Sequence, residues 1–426
     1  MLQPRLPASV DEIHFEDPLF WSKPLQDREG AFLLLRRERP MSFHEEFEPP
    51  PEIPLPRGPG YWAVTRHADV VTASRNSELF CSGKGTNIPD LPAQMNEFFG
   101  SMLNMDDPRH ARLRGIVSRG FTPRALAKLA HDVERRAKAL VDAVIDQGEC
   151  DFVSKFAAPL PLGIICDMMG IPESQTQFVF DQTNIILGLG DPEYVTPGAN
   201  PIITAMTSAS ALVALMNEIG AERRKNPKED LTSQLLHGQV DGESLTDQEL
   251  ASFFVLLVTA GNETTRNAIS HGMKALSDHP DERRKWAADF EGVAPRAVEE
   301  IVRWASPVIH FRRTVTRDTE LGGQKLREGE KVVLWYNSAN RDELAFPDPY
   351  RFDLTRSPNE HVGFGGPGAH HCLGANLARR EMTVVFRELF RRLPDLEISG
   401  EPAMLQSNFI HGIKRMPCRF TPGGKP

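Results

Sequence analysis

Cys372 is the residue whose setting invites chemistry. It stands in Phe364-Gly-Gly-Pro-Gly368-Ala-His370-His-Cys372-Leu-Gly374, directly before a helical pattern running from Ala375 to Leu393. A thiol at a helix N-terminus meets the positive end of the helix dipole and unpaired backbone N–H groups, and both favour the thiolate. The glycines before it let the backbone pass close to a flat ligand, where a Cβ would clash. Thiolate, glycine loop and helix together suit an axial ligand to haem iron. A structural cysteine in a turn is the plainer reading, and the company this cysteine keeps argues against it.

That company begins with Ala260-Gly261-Asn262-Glu263-Thr264-Thr265, inside a helical pattern from about Thr246 to His279. Thr246 and Glu249 have capping-box spacing, and Pro280 marks the end. Phe253, Leu256, Leu257, Ala260, Gly261, Thr264 and Ala268 recur at helical spacing and share a face. At 1.5 Å per residue the run is roughly 50 Å long, enough to cross a whole domain. Mid-helix glycine and paired threonines lower helix propensity, so their presence needs a reason. Two readings stay open: a packing glycine with back-bonded threonines, or a gap for a small ligand beside an acid and an alcohol. A third motif, Glu300-Ile-Val-Arg303, puts an acid and a base on one helix face, and Phe346-Pro-Asp-Pro-Tyr-Arg351-Phe352 follows downstream.

Taken together, these three motifs resemble those of the cytochrome P450 superfamily, in the same order and over almost the whole chain. The resemblance implies that Cys372 is the only protein ligand to the iron of haem b. It also implies that Glu263 and Thr264 deliver protons, and that Glu300, Arg303 and Arg351 form an architectural triad behind the cysteine loop. Phe364, Gly365, Gly374 and Ala260 match haem contacts. His110, Arg114, Arg313 and His370 match propionate partners, with Arg312 competing with Arg313. Phe364 lies one residue further from the cysteine than the family pattern, so an extra residue near Gly366-Pro367 is expected to alter its packing.

The same resemblance gathers a substrate wall from separated apolar segments: Phe99 and Leu103; Leu187 and Leu189; Leu256, Thr259 and Ala260; Ile309 and Phe311; and Phe409. Taken singly, each reads equally well as core. Strings such as Ile164-Ile-Cys-Asp-Met-Met-Gly-Ile-Pro172 and Phe409-Ile-His-Gly-Ile-Lys414 are similar to actinobacterial members that hydroxylate methyl-branched lipids or sterol side chains at a terminal carbon. The implied activity is a haem-thiolate monooxygenase using O2 on an apolar substrate, with terminal hydroxylation of a methyl-branched or isoprenoid lipid expected. Sterol side chains, terpenes, macrolides and a non-oxygenating haem protein of the same fold are the alternatives. No G-x-G-x-x-G follows a strand, so electrons are expected from a ferredoxin and its NAD(P)H-dependent reductase.

The elements that must position these groups read as one mainly α domain over residues 1–426 with a small β region, haem lying between the long distal helix and the cysteine-loop helix. Residues 1–30 are expected to be an extension, and the Pro-rich stretch Pro49 to Pro59 to join two strand-like runs, Met41 to Phe47 and Tyr61 to Thr65. No uninterrupted apolar run is long enough to predict a transmembrane anchor, and the first residues have no apolar signal core, so a cytoplasmic protein is expected. The five cysteines show no C-x-x-C spacing, and the net charge of -9 disfavours general nucleic-acid binding. Against that charge, Arg109, His110, Arg112, Arg114, Arg119, Arg124 and Lys128 form a basic cluster. A solvated helix face and a docking surface for an acidic electron donor both suit it.

Overall fold

The computed structural model describes residues 2–49, 56–195, 200–239, 242 and 244–423. Most of Pro49 to Pro59 therefore lies outside the described residues. The strands it was expected to join do pair: Met41–His44 lies antiparallel to Tyr61–Val64, with Met41 opposite Val64. They open a five-stranded mixed sheet that continues through Lys331–Trp335 and His310–Val315 to Phe80–Cys81. Lys331–Trp335 is the middle strand, and all five of its residues are buried. Its Lys-Val-Val-Leu-Trp sequence has the near-continuous apolar run of a strand covered on both faces.

The helix Asp247–Asp278 spans the main core and packs against the helices Pro159–Met169, Pro201–Lys225, Phe290–Ala305 and Ala375–Arg392. Its start is a full capping box: the Thr246 hydroxyl accepts from the Glu249 N–H, and the Glu249 carboxylate accepts from the Thr246 N–H. At its middle, a Cβ on Gly261 would come within 2.8 Å of Ile165, and farther along one on Gly272 would press on Ile301 and Phe386. Both glycines let neighbouring helices approach this one.

Residues 2–30 are built into the fold. Ile13, Phe15, Phe20 and Trp21 are buried with Phe32, Tyr61 and Trp335. Trp21 stacks on Trp335 at 5.3 Å and Phe15 on Phe32 at 5.0 Å. Helix Pro201–Lys225 is long and apolar enough to cross a membrane, with a mean hydropathy of 1.5 over its best window. Ala205, Ala209, Leu212, Leu215, Met216 and Ile219 on one face of it are buried in the protein. Near the C-terminus, Cys418 faces Cys150 across paired strands, with their sulfurs 3.6 Å apart as free thiols.

Candidate functional site: a cavity between the long helix and the cysteine loop

A cavity of about 1400 Å³, counted to its open mouth, lies between the helix Asp247–Asp278 and the loop before Ala375. One wall is a stripe of the long helix: Phe253, Leu256, Leu257, Ala260, Gly261, Thr264, Thr265 and Ala268. These recur at three- and four-residue intervals, as the sequence pattern requires. Gly261 meets both readings left open above, because it lines the cavity and also admits Ile165. The Thr264 hydroxyl donates to the Ala260 carbonyl at 2.8 Å while lining the space.

The opposite wall is the cysteine loop, where Phe364, Gly365, His370, His371, Cys372, Leu373 and Gly374 all line the cavity. The Cys372 N–H donates to the Phe364 carbonyl at 2.9 Å. The Phe364 ring lies 4.5 Å under the Arg379 guanidinium. The additional residue therefore does not remove Phe364 from the site. Gly366 and Gly368, beside it, press against Ser74: a Cβ on Gly368 (φ +151) would meet the Ser74 carbonyl at 2.2 Å. Gly365 adopts φ +81, a left-handed conformation that glycine takes without strain.

Cys372 is exposed at the cavity wall yet lies deep among protein atoms. Burial pushes its thiol up from the ordinary value, outweighing the backbone N–H groups of Gly374 and Ala375 and the charges of Arg114 and Arg379, which pull it down. The helix N-terminus and the two arginines favour the thiolate, as the spacing suggests, and burial opposes them. A metal ion that displaces the proton supplies the missing stabilisation.

At one edge the cavity gathers two arginines and two histidines. His110 and Arg114, four residues apart on the helix Arg109–Val117, meet His370 and Arg313 there. The His110 and His370 rings are 4.2 Å apart. Burial and the neighbouring Arg313, His110 and Arg114 hold His370 down at about 2. His110 Nδ1 faces Asp107 at 3.2 Å, whereas its buried Nε2 has no partner among the described residues. Arg114 donates to the His371 carbonyl and Arg313 to the Arg312 carbonyl. Arg312 turns away to Asp90 and the carbonyls of Lys84, Asn87 and Ile88. The competition between the two arginines thus resolves to Arg313 at the cavity. A cationic edge, an unpartnered imidazole nitrogen, a thiol and glycine-thinned backbone match an iron porphyrin with two carboxylates.

Other expectations shift. Glu263 is not in the cavity wall. It is 1% exposed and points to Arg266, with Asn267 donating to it at 3.2 Å. Among the expected substrate residues, Leu103, Leu256, Ala260 and Phe311 line the cavity. Phe99, Leu187, Leu189, Thr259, Ile309 and Phe409 do not. Thr259 is buried with its hydroxyl bonded to the Val255 carbonyl, and Ile309 is packed among the aromatic residues beside Trp335. Phe409 stands behind Phe311, ring centroids 5.5 Å apart. Met102, Ile165, Val302, Val308 and Leu377 complete the wall instead. Their spacing gave no sign of this, because tertiary packing alone selects which apolar residue faces a void.

The triad is corrected at one member. Glu300 and Arg303 are fully buried and doubly bonded, at 2.7 and 2.8 Å. The arginine side chain that joins them is Arg356, with Nε 3.1 Å from Glu300. Arg351 is exposed and contributes only its carbonyl, which accepts from Arg303 and Arg356. The local Pro-Asp-Pro-Tyr-Arg string pointed at the nearer arginine, but the chain turns there and presents the next one.

The comparisons agree with this geometry. The cytochrome P450 family model matches residues 203–403. The methyl-branched lipid omega-hydroxylase of Mycobacterium tuberculosis is 51% identical over 98% of this chain and 96% of its own. The steroid C26-monooxygenase of Mycolicibacterium smegmatis is 42% identical over 86% of this chain and 85% of its own. A Mycobacterium marinum cytochrome P450 solved in complex with pseudoionone superposes with a TM-score of 0.91 at 44% identity, covering 98% of this chain and 99% of that one. The chain belongs to the cytochrome P450 family: it is a haem-thiolate monooxygenase with a single-domain P450 fold.

Proposed function

We propose that this enzyme hydroxylates a terminal methyl group of a methyl-branched or isoprenoid lipid. The observation that carries the reading is the hydrocarbon character of the wall across from Cys372, where Met102, Leu103, Phe253, Leu256, Val308 and Phe311 face the same space. The two relatives named above, one a lipid omega-hydroxylase and one a steroid C26-monooxygenase, point the same way.

Bound haem supplies the activation of O2 for insertion of one oxygen atom into a C–H bond. The residues of the chain do the rest. Cys372 would give up its proton to ligate the iron, and Arg114, Arg313, His110 and His370 would hold the propionates. Phe364, Gly365, Gly374 and Ala260 line the same cavity and would hold the porphyrin. The Thr264 hydroxyl, bonded now to the Ala260 carbonyl, rotates to pass a proton into the cavity, and Glu263 resupplies it through water. The apolar wall admits the lipid end-on, so orientation rather than bond strength selects the terminal methyl. A ferredoxin and an NAD(P)H-dependent reductase supply electrons in the cytoplasm, docking near the basic face that includes Arg112, Arg119, Arg124 and Lys128.

The test is a haem spin-state titration with branched fatty acids, isoprenoids, cholestenone and macrolides, followed by mass spectrometry of the products. A spin shift with a branched lipid and oxidation at its terminal carbon is expected. A response to macrolides alone, or oxidation mainly at internal carbons, overturns the substrate class or the end-on geometry respectively.

A further inference from the structure

Glu381 is a carboxyl with no explanation in the scheme above. It lies two turns into the helix Ala375–Arg392 that follows Cys372. Leu377, Ala378, Glu381 and Met382 form one face of that helix, and all four line the cavity. The Glu381 residue is 1% exposed. Its Oε1 is buried with no hydrogen-bond partner among the described residues. Leaving such a group unsatisfied costs about 1–3 kcal/mol. An apolar residue at this position would avoid that cost, and Leu377 and Met382 beside it do so.

No neighbouring charge explains the residue. Many of the charged groups on the elements packed against this helix are committed to one another or to other partners. Arg136 pairs with Asp167, Glu134 with Arg380, Asp142 with Arg392, Glu299 with Arg379 and His361, and Glu291 with Arg387. Glu300 pairs with Arg303 and Arg356, Glu263 with Arg266, and Lys274 with Asp278. Besides Glu381, the titratable and charged groups around the cavity are His110, Arg114, Arg313, Tyr336, His370, His371 and Cys372. Burial alone pushes the Glu381 carboxyl up to about 8, with no charge or hydrogen bond contributing. At neutral pH it is therefore an uncharged acid carrying a proton to donate.

We propose that Glu381 is a positioning residue for the known reaction: it presents a neutral carboxylic acid on the Cys372 wall of the haem slot and so keeps the reduction potential of the cofactor high enough for electron uptake. The inference rests on haem ligation by Cys372. A carboxylate at this site, in a low-dielectric wall, would favour the more positive ferric state and lower the potential. A neutral acid does not, while its O–H satisfies an acceptor that arrives with the cofactor or its ordered water.

The experiment measures the reduction potential of the haem-loaded protein by spectroelectrochemistry from about pH 6.5 to about pH 9.5, around the shifted carboxyl. In wild type the potential should fall in a step centred near pH 8 that Glu381→Gln abolishes, the variant staying near the acid plateau. Glu381→Asp, which restores an acid, should bring a step back. A step that survives in Glu381→Gln, or a wild type with no step, overturns the proposal. The thiolate signature of the carbon-monoxide complex, measured on each variant, separates this outcome from a failure of Cys372 ligation. If Glu381→Gln loads no haem, infrared spectroscopy of wild type and Glu381→Asp decides. A protonated-carboxyl band that moves with the Asp change and bleaches with the same pH midpoint as the potential supports the assignment. Absence of such a band overturns it.

Discussion

Two buried Glu-x-x-Arg pairs, built on the same i,i+3 helical spacing, serve opposite ends in this molecule. Glu300 and Arg303 form a closed system. Arg303 reaches both carboxylate oxygens and the carbonyls of Asn340 and Pro349, while Arg356, Asn359 and the Asp353 N–H complete Glu300. Glu263 and Arg266, on the long helix, form an open one. Arg266 also holds Asn184, yet Glu263 Oε2, Arg266 Nε and Asn262 Oδ1 are buried without partners among the described residues. A closed network has one geometry and braces the loop that carries Cys372. An open network beside a cavity retains sites for ordered water, which is what a proton path requires. Identical sequence spacing therefore yields a closed or an open network according to how many partners the surrounding chain supplies.

The comparison breaks most readily at Arg303. Arg303→Ala removes two of the hydrogen bonds to the fully buried Glu300 carboxylate and breaks its ion pair, and the expected cost is about 3–5 kcal/mol. Haem loading should fall to near zero, read as the ratio of Soret to protein absorbance. A fully loaded variant would show that the closed network is dispensable. Next in size is the contest between two arginines. Arg356→Ala should destabilise by about 1.5–3 kcal/mol, the range of a hydrogen bond to a charged group. Arg351→Ala, which keeps its carbonyl, should leave the melting temperature almost unchanged. Equal losses in the two variants would return Arg351 to the triad.

The open network should respond in coupling more than in stability. Glu263→Gln is expected to lower product formed per NADPH consumed and to weaken its dependence on proton concentration, at a stability cost within about 1–3 kcal/mol. Thr264→Ala should cost least, about 0.5–1.5 kcal/mol for one back-bond. It should leave substrate affinity intact while peroxide replaces product. Peroxide assays on both variants sharpen the contrast, since wild-type coupling in the pair would assign the relay to other groups.

How far the sequence could be read depended on whether local order carried the information. The capping box at Thr246, the stripe from Phe253 to Ala268 and the Cys372 loop are local, and they emerged within a residue or two of their observed limits. Arg266 has the same kind of spacing from Glu263 as Arg303 has from Glu300, and that echo could have flagged it. Glu381 gave no local signal, because a single Glu inside Arg-Arg-Glu-Met reads as solvated helix until packing turns it inward. The substrate wall divided for a similar reason. Ile309 precedes the strand His310–Val315 and packs beside Trp335, whereas Phe311 within the strand reaches the cavity, and no local pattern separates the two. Arg356 was missed because the turn that brings it to Glu300 is set by contacts distant in sequence.

The stacking of Trp21 on Trp335 gives the beginning of the chain an optical voice. The two indoles belong to segments more than three hundred residues apart, so their mutual quenching reports that the amino-terminal segment is seated on the central strand. A chain shortened to begin after residue 30 would lose Phe15, Phe20 and Trp21 and bare one side of Trp335, which is fully buried in the intact protein. Its emission should redden and brighten as water reaches the ring.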